Sequence, residues 1–189
     1  MNSKYLAVFL PGIGYHNDKP LLYYSRKLAL ECGYDAVLVT YHDLPSKVKG
    51  NKEKMMEAVD MAYAQTVQSL NDIDMHVYEK IVFVGKSIGT VIASRFVAEY
   101  GLQAGLILYT PVEATFACNI NSGIAFIGTA DPWSNLEDVK RLAREQKVPL
   151  YLYEDVNHSL ECNDQIKNIE ILQDVMKKTK DYLTDTYRG

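Results

Sequence analysis

Three residues of this chain stand out as able to do covalent chemistry together: Ser87, Asp131 and His158. Ser87 lies in Val84-Gly85-Lys86-Ser87-Ile88-Gly89-Thr90, a G-x-S-x-G pattern between an apolar run and an amphipathic stretch. A turn of this kind strains the serine backbone, and a side chain two positions away on either side would clash. It also presents the hydroxyl at a helix N-terminus, where backbone N–H groups and the helix dipole favour developing negative charge. A hydroxyl so held, with a base beside it and a carboxylate to orient the base, attacks a carbonyl carbon. Two plainer readings compete. Gly85-Lys86-Ser87 would close a phosphate-binding loop only with a glycine five residues before Gly85, where Lys80 stands. A tight strand-to-helix turn with Ser87 as its N-cap needs no partners at all.

The base must come from four histidines. His16 follows the first apolar run, His42 ends the second, and His76 precedes the third, which puts it at the opposite end of a sheet from Ser87. His158, in Asn157-His158-Ser159-Leu160 after the last run, falls at the same end as Ser87. For the acid, Asp131 follows the fifth run in Gly128-Thr129-Ala130-Asp131-Pro132, with Asp155 as the fallback from the histidine's own loop. An aspartate before proline also serves simply to start a turn or helix.

The elements that must position these groups are legible as alternating patterns. Short apolar runs at 5–10, 35–41, 80–84, 105–109, 123–127 and 149–153 are nearly continuous in hydrophobicity, as in strands covered on both faces. Between them, Met55, Met56, Val59, Ala62, Tyr63, Val67 and Leu70 form one helical stripe within 53–70. Leu136, Val139, Leu142 and Ala143 form a second, and Ile169, Leu172, Val175, Met176 and Leu183 a third; a further helix is expected over 91–100. Alternating strands and helices mean βαβ units, right-handed crossovers and a doubly wound α/β sheet. Ligands bind such sheets beyond the carboxyl ends of the strands, where Ser87, Asp131 and His158 all fall.

Composition narrows the function classes. The 189 residues, 48% hydrophobic and 23% charged, suit one globular domain spanning 1–189, without repeats or linkers. A net charge of −4, from 20 basic and 24 acidic residues, offers no electrostatic footprint for nucleic acid or a membrane surface. No apolar run is long enough to span a bilayer. Cys32, Cys118 and Cys162 are odd in number and lack metal-ligand spacing, so they read as thiols in a reducing compartment. Met1 to Lys4 lead directly into the first apolar run without a signal-peptide layout, so a cytoplasmic location is expected. Neither a cofactor nor a metal is called for, and the oligomeric state cannot be read.

The order Ser87, Asp131, His158 along the chain is that of α/β-hydrolases, and the chain resembles a small, lid-less member of that family over essentially its whole length. Pro11-Gly12-Ile13-Gly14-Tyr15 is similar to the family's oxyanion loop, with Pro11 where a histidine is more usual. The Asp131 and His158 segments are similar to its acid and histidine loops. The resemblance implies six parallel strands in the order 2-1-3-4-5-6, with two antiparallel starting strands missing. It also implies an oxyanion hole built from the backbone N–H groups of Ile13 and Ile88, with Gly12, Gly14, Gly85 and Gly89 shaping the two turns.

The expected function is serine hydrolysis of a small ester, thioester or related acyl bond through an acyl-enzyme. An acyltransferase or perhydrolase on the same triad, and a non-catalytic small-molecule binder on the same fold, are the alternatives. Residues 110–122, where many of these enzymes carry a lid, are too few for a helical cap. Tyr15, His16, Tyr109 and Trp133 are placed near enough to line the cleft, though packing roles compete for each. Glu113 could meet a cationic group, or simply be a solvated loop carboxylate.

Overall fold

In the computed structural model, which describes residues 3–185, strands and helices alternate along the chain. Met1, part of the expected N-terminal layout, lies outside the described residues. The strands are β1 (Tyr5–Leu10), β2 (Tyr34–Leu38), β3 (Lys80–Lys86), β4 (Gly105–Tyr109), β5 (Gly123–Gly128) and β6 (Leu150–Tyr153). The helices are α1 (Pro20–Glu31), α2 (Lys52–Leu70), α3 (Ile88–Glu99), α4 (Leu136–Glu145) and α5 (Gln165–Asp185). All six strands are parallel and pair in the order β2-β1-β3-β4-β5-β6, as expected.

The unbroken hydrophobicity of the strands has a direct structural cause. Successive side chains point to opposite faces, and both faces are covered. Leu6, Val8, Leu10, Phe83, Leu108 and Ile127 face α2, α3 and α4, packing on Ala62, Ile92, Phe96 and Val139. Ala7, Phe9, Val82, Val84, Ile107 and Phe126 face α1 and α5, packing on Leu22, Ala29, Val175 and Leu183. Among the described residues no helix is long and apolar enough to cross a membrane.

The structure differs from the sequence patterns in instructive places. Met56 and Ile169 fall in register with their stripes but are 57% and 63% exposed, because each lies at the margin of its helix's buried face. The second strand stops at Leu38, short of Tyr41. Val39 N–H still donates to the Phe9 carbonyl at 3.0 Å, while the Val39 carbonyl accepts from Asn17 Nδ2 at 2.7 Å. The helix after Ser87 begins at Ile88, a turn earlier than 91. Helix α1 has no counterpart among the apolar stripes. Pro20 opens it, and buried Ser25 interrupts an otherwise apolar face of Leu21, Leu22 and Ala29.

Candidate active site

At the carboxyl end of β3 the chain departs from ordinary backbone geometry. Ser87 has φ 55° and ψ −118°, a sparsely populated conformation that costs about 1–3 kcal/mol. Neighbouring groups over-determine it. Its N–H donates to the Tyr109 carbonyl at 3.0 Å, and its carbonyl accepts from the Thr90 N–H at 2.9 Å and the Thr90 hydroxyl at 2.6 Å. Thr90 is itself held by the Thr115 hydroxyl at 2.6 Å. The two glycines of the pattern are steric necessities. A Cβ on Gly85 would sit 2.5 Å from the Gly89 carbonyl oxygen, and one on Gly89 would sit 2.1 Å from that of Leu10.

Two loops bring partners to the serine. The Asp131 loop and the His158 loop run so close that a Cβ on Gly128 would lie 2.0 Å from the Val156 carbonyl oxygen. They are tied by Ala130 N–H to Val156 O at 3.1 Å and Asp155 N–H to the Thr129 hydroxyl at 2.9 Å. His158 Nδ1 lies 2.7 Å from Asp131 Oδ2, and His158 Nε2 lies 2.8 Å from Ser87 Oγ. The other Asp131 oxygen accepts from the Trp133 N–H at 2.9 Å. The Asp131 side chain is 1% exposed and the His158 ring 16%. With both carboxylate oxygens engaged, Asp131 presents a fixed acceptor to Nδ1, which leaves Nε2 free to accept the serine proton. Asp155, the fallback acid, is exposed and takes no part in this chain.

The Gly12 turn lies against the elbow. A Cβ on Gly12 would be 3.2 Å from Ser87 Cβ and 3.1 Å from the Lys86 carbonyl oxygen. Reciprocal hydrogen bonds between Gly12 and Tyr15 close the turn, and Gly14 takes the positive φ (70°) that it requires. Among the described residues neither the Ile13 N–H nor the Ile88 N–H has a protein acceptor. Ile88 is the first residue of α3, where the N–H has no intrahelical partner.

The four residues expected to line the cleft have different fates. Trp133 stands beside the base, its ring centroid 5.6 Å from that of His158. His16 is exposed and, with Tyr15, borders a cavity of about 420 Å³ beside the Gly12 turn. Tyr15 is buried, its hydroxyl accepting from the Leu21 N–H at 3.1 Å. Tyr109 does not line the cleft. It is wholly buried toward α1 and α5, where its hydroxyl bonds Ser25 at 2.7 Å and Thr179 at 2.6 Å. Glu113 is engaged with the Asn135 N–H at 2.6 Å at the start of α4. A second, apolar cavity of about 210 Å³ opens behind the His158 loop, among Tyr15, Leu21, Leu160 and Leu172, and contains none of Ser87, Asp131 and His158.

Lys86 has a structural position that its place in the pattern did not reveal. It is 1% exposed, and its Nζ sits 5.0 Å from the centroid of the Tyr15 ring. Burial pushes its pKa down to about 7, against the opposing pull of the Asp131 charge. His158 in turn is held below the usual imidazole value. Burial is the main cause, aided by the charges of Lys86 and Lys49 and opposed by Asp131. The available signal was a lysine ending an otherwise apolar strand, a position where the side chain must be buried or stand at the rim. Among the described residues, no cluster of three or more His, Cys, Asp or Glu side chains is arranged to hold a metal ion.

No family model and no curated protein matches this chain in sequence. Solved structures do match in shape. An α/β serine hydrolase without a lid from Xanthomonas campestris superposes with a TM-score of 0.64 at 13% identity, covering 99% of this chain and 84% of that one. An esterase from Pyrococcus furiosus gives 0.67 at 15% identity, covering 97% and 83%. A protein of unknown function from Agrobacterium tumefaciens, provisionally classed as an alpha/beta hydrolase, gives 0.70 at 18%, covering 100% and 90%. The chain thus has the α/β-hydrolase fold, in a minimal form. Between β4 and β5 it carries only the short 3-10 turn Glu113–Ala117 in place of a helical lid.

Proposed function

We propose that this protein is a serine hydrolase that cleaves a small ester, thioester or related acyl bond. The reading is carried by one observation, the unbroken hydrogen-bonded line from Ser87 Oγ through His158 to Asp131. His158 Nε2 takes the hydroxyl proton as Oγ bonds to the carbonyl carbon, and Asp131 stabilises the imidazolium. The oxyanion is received by the N–H groups of Ile13 and Ile88, of which either is worth about 10²–10³ in turnover. The imidazolium then protonates the leaving alcohol or thiol, and water repeats the sequence on the acyl-enzyme. The short connection between β4 and β5, with only the turn Glu113–Ala117 and no helical lid, favours small or solvent-exposed acyl groups over long buried chains.

Only neutral His158 can act as the base, so activity falls as pH drops through its pKa. Because that pKa is held below 6.5, the acid limb lies below the value of a free imidazole. The decisive test is intact mass after fluorophosphonate treatment of wild type and Ser87→Ala. One adduct on the wild type and none on the variant supports an activated serine. No adduct on folded wild type removes the proposal.

A further inference from the structure

The connection between β2 and α2, residues 39–51, spans the width of β1, β3 and β4 to reach the Asp131 loop. Lys49 Nζ lies 5.3 Å from the centroid of the Trp133 ring, which is also the ring beside His158. Between this strap and the Asp131 loop is a cavity of about 520 Å³. Val48, Met55 and Pro132 give it apolar walls, Lys49 and Lys52 give it charge, and Trp133 joins it to the triad.

The charge here runs against the rest of the molecule. The chain is net acidic, yet residues 47–54 hold Lys47, Lys49, Lys52 and Lys54 against Glu53 alone. Among the other described basic residues, Lys4, Arg95, Lys140, Arg141, Lys178 and Lys180 each pair with a carboxylate, whereas Lys19, Lys147, Lys167 and Lys177 stand singly and apart from one another in the sequence. Among the described residues neither Lys47 and Lys49 on the strap nor Lys52 and Lys54 in the first turn of α2 pair with a carboxylate. The nearby acids of the site are already committed, Asp131 to His158 and the Trp133 N–H, Glu113 to the Asn135 N–H. Unneutralised cations gathered at one rim of a cleft raise the local concentration of anionic ligands.

We infer that this cavity is a subsite for an anionic group on the leaving alcohol or thiol of the substrate, with Lys49 and Lys52 determining specificity and Trp133 as its apolar wall. The inference rests on the proposed serine hydrolase. The assignment to the leaving group follows from direction. The acyl oxygen belongs at the Ile13 and Ile88 N–H groups, whereas His158 must protonate the departing atom, and Trp133, which lines the cavity, stands beside His158. A carboxylate or a phosphate satisfies the same lysines.

The test compares 3-acetoxybenzoate with 3-acetoxybenzamide, which share the acetyl group and nearly the same phenol but differ in charge, with 3-acetoxyphenyl phosphate as the phosphate arm. Wild type should prefer the carboxylate or the phosphate over the carboxamide by about five- to tenfold in kcat/KM. The preferred arm identifies the anion. The preference should collapse toward unity in Lys49→Met/Lys52→Met and in about 0.5 M salt. It should persist in Lys177→Met, which removes the same charge from the exposed face of α5. Circular dichroism checks that the double variant is folded. Turnover of the carboxamide without any preference, or a preference that survives the double substitution, overturns the subsite and leaves the serine hydrolase standing. Fluorophosphonate labelling without turnover of either anionic ester also overturns the subsite. Neither labelling nor turnover overturns both.

Discussion

The Ser87 elbow and the 39–51 strap approach His158 from different parts of the chain, and they are held in different ways. At the elbow the serine's own N–H and carbonyl are both bonded, and a Cβ on either flanking glycine would collide with backbone. The strap is exposed along most of its length. It is anchored by buried Val48, by the Asn17–Val39 hydrogen bond, and by Gln65, which bonds the backbone of His42 at 2.8 and 2.9 Å. On the proposed function, the contrast separates two tasks. Bond-making needs atoms fixed to a fraction of an ångström, which rigid backbone supplies. Discrimination between substrates needs charge in roughly the right place, which a loop on a rigid scaffold supplies.

Substitutions should divide along this line. Asp131→Asn should lower kcat by about 10⁴ with the fold intact, because an amide cannot hold His158 in the tautomer that accepts at Nε2. Steady-state kinetics beside a circular dichroism spectrum checks it, and a loss below tenfold would break the assignment of the acid. Gly89→Ala should fail to give a native elbow, since its Cβ would meet the Leu10 carbonyl at 2.1 Å. The expected readout is insoluble protein or a melting midpoint many degrees lower, with no fluorophosphonate adduct. A well-folded, reactive variant would show that the elbow is less constrained than its geometry states.

On the strap the effects should be smaller. Asn17→Ala removes the buried hydrogen bond to Val39 and leaves that carbonyl without its partner, at a cost of about 1–3 kcal/mol in urea unfolding. Catalysis of a neutral ester should then change less than stability does. Lys86→Met bears on the elbow from beneath and should be the mildest in rate. Loss of its charge should move the acid limb of kcat/KM upward in pH, since Lys86 is one of the groups holding His158 low. The stability sign follows from linkage. With a folded pKa near 7 and an ordinary value of 10.5, the unfolded chain binds more protons between those limits. Wild-type stability therefore gains from Lys86 as pH rises through that window, and the methionine variant should lose that gain. Urea midpoints at several pH values read this directly.

Much of the fold was legible because burial on both faces writes a strand as an unbroken apolar run, as in Tyr5–Leu10 and Gly105–Tyr109. Ser87, Asp131 and His158 were legible because each follows a recognisable strand, and parallel strands deliver their following loops to one edge. Helix α1 was not, since Ser25 sits in the middle of its buried face and bonds Tyr109 across the core. Tyr109 misled for the same reason. Its residue type suits a cleft, and only the pleat of β4 decides that it points to α5 instead.

By itself, the sequence determined the alternation of elements, the strand order through resemblance, and a serine turn in which two positions had to be glycine. Those are local requirements, written in periodicity and in backbone sterics. The tertiary structure alone decided that Lys86 is buried under Tyr15, that Tyr109 bonds Ser25 and Thr179 and not the cleft, and that Lys49 reaches Trp133 from across the sheet. Each depends on a contact between segments far apart in the chain. Such contacts are set by how the layers pack, which no local pattern encodes.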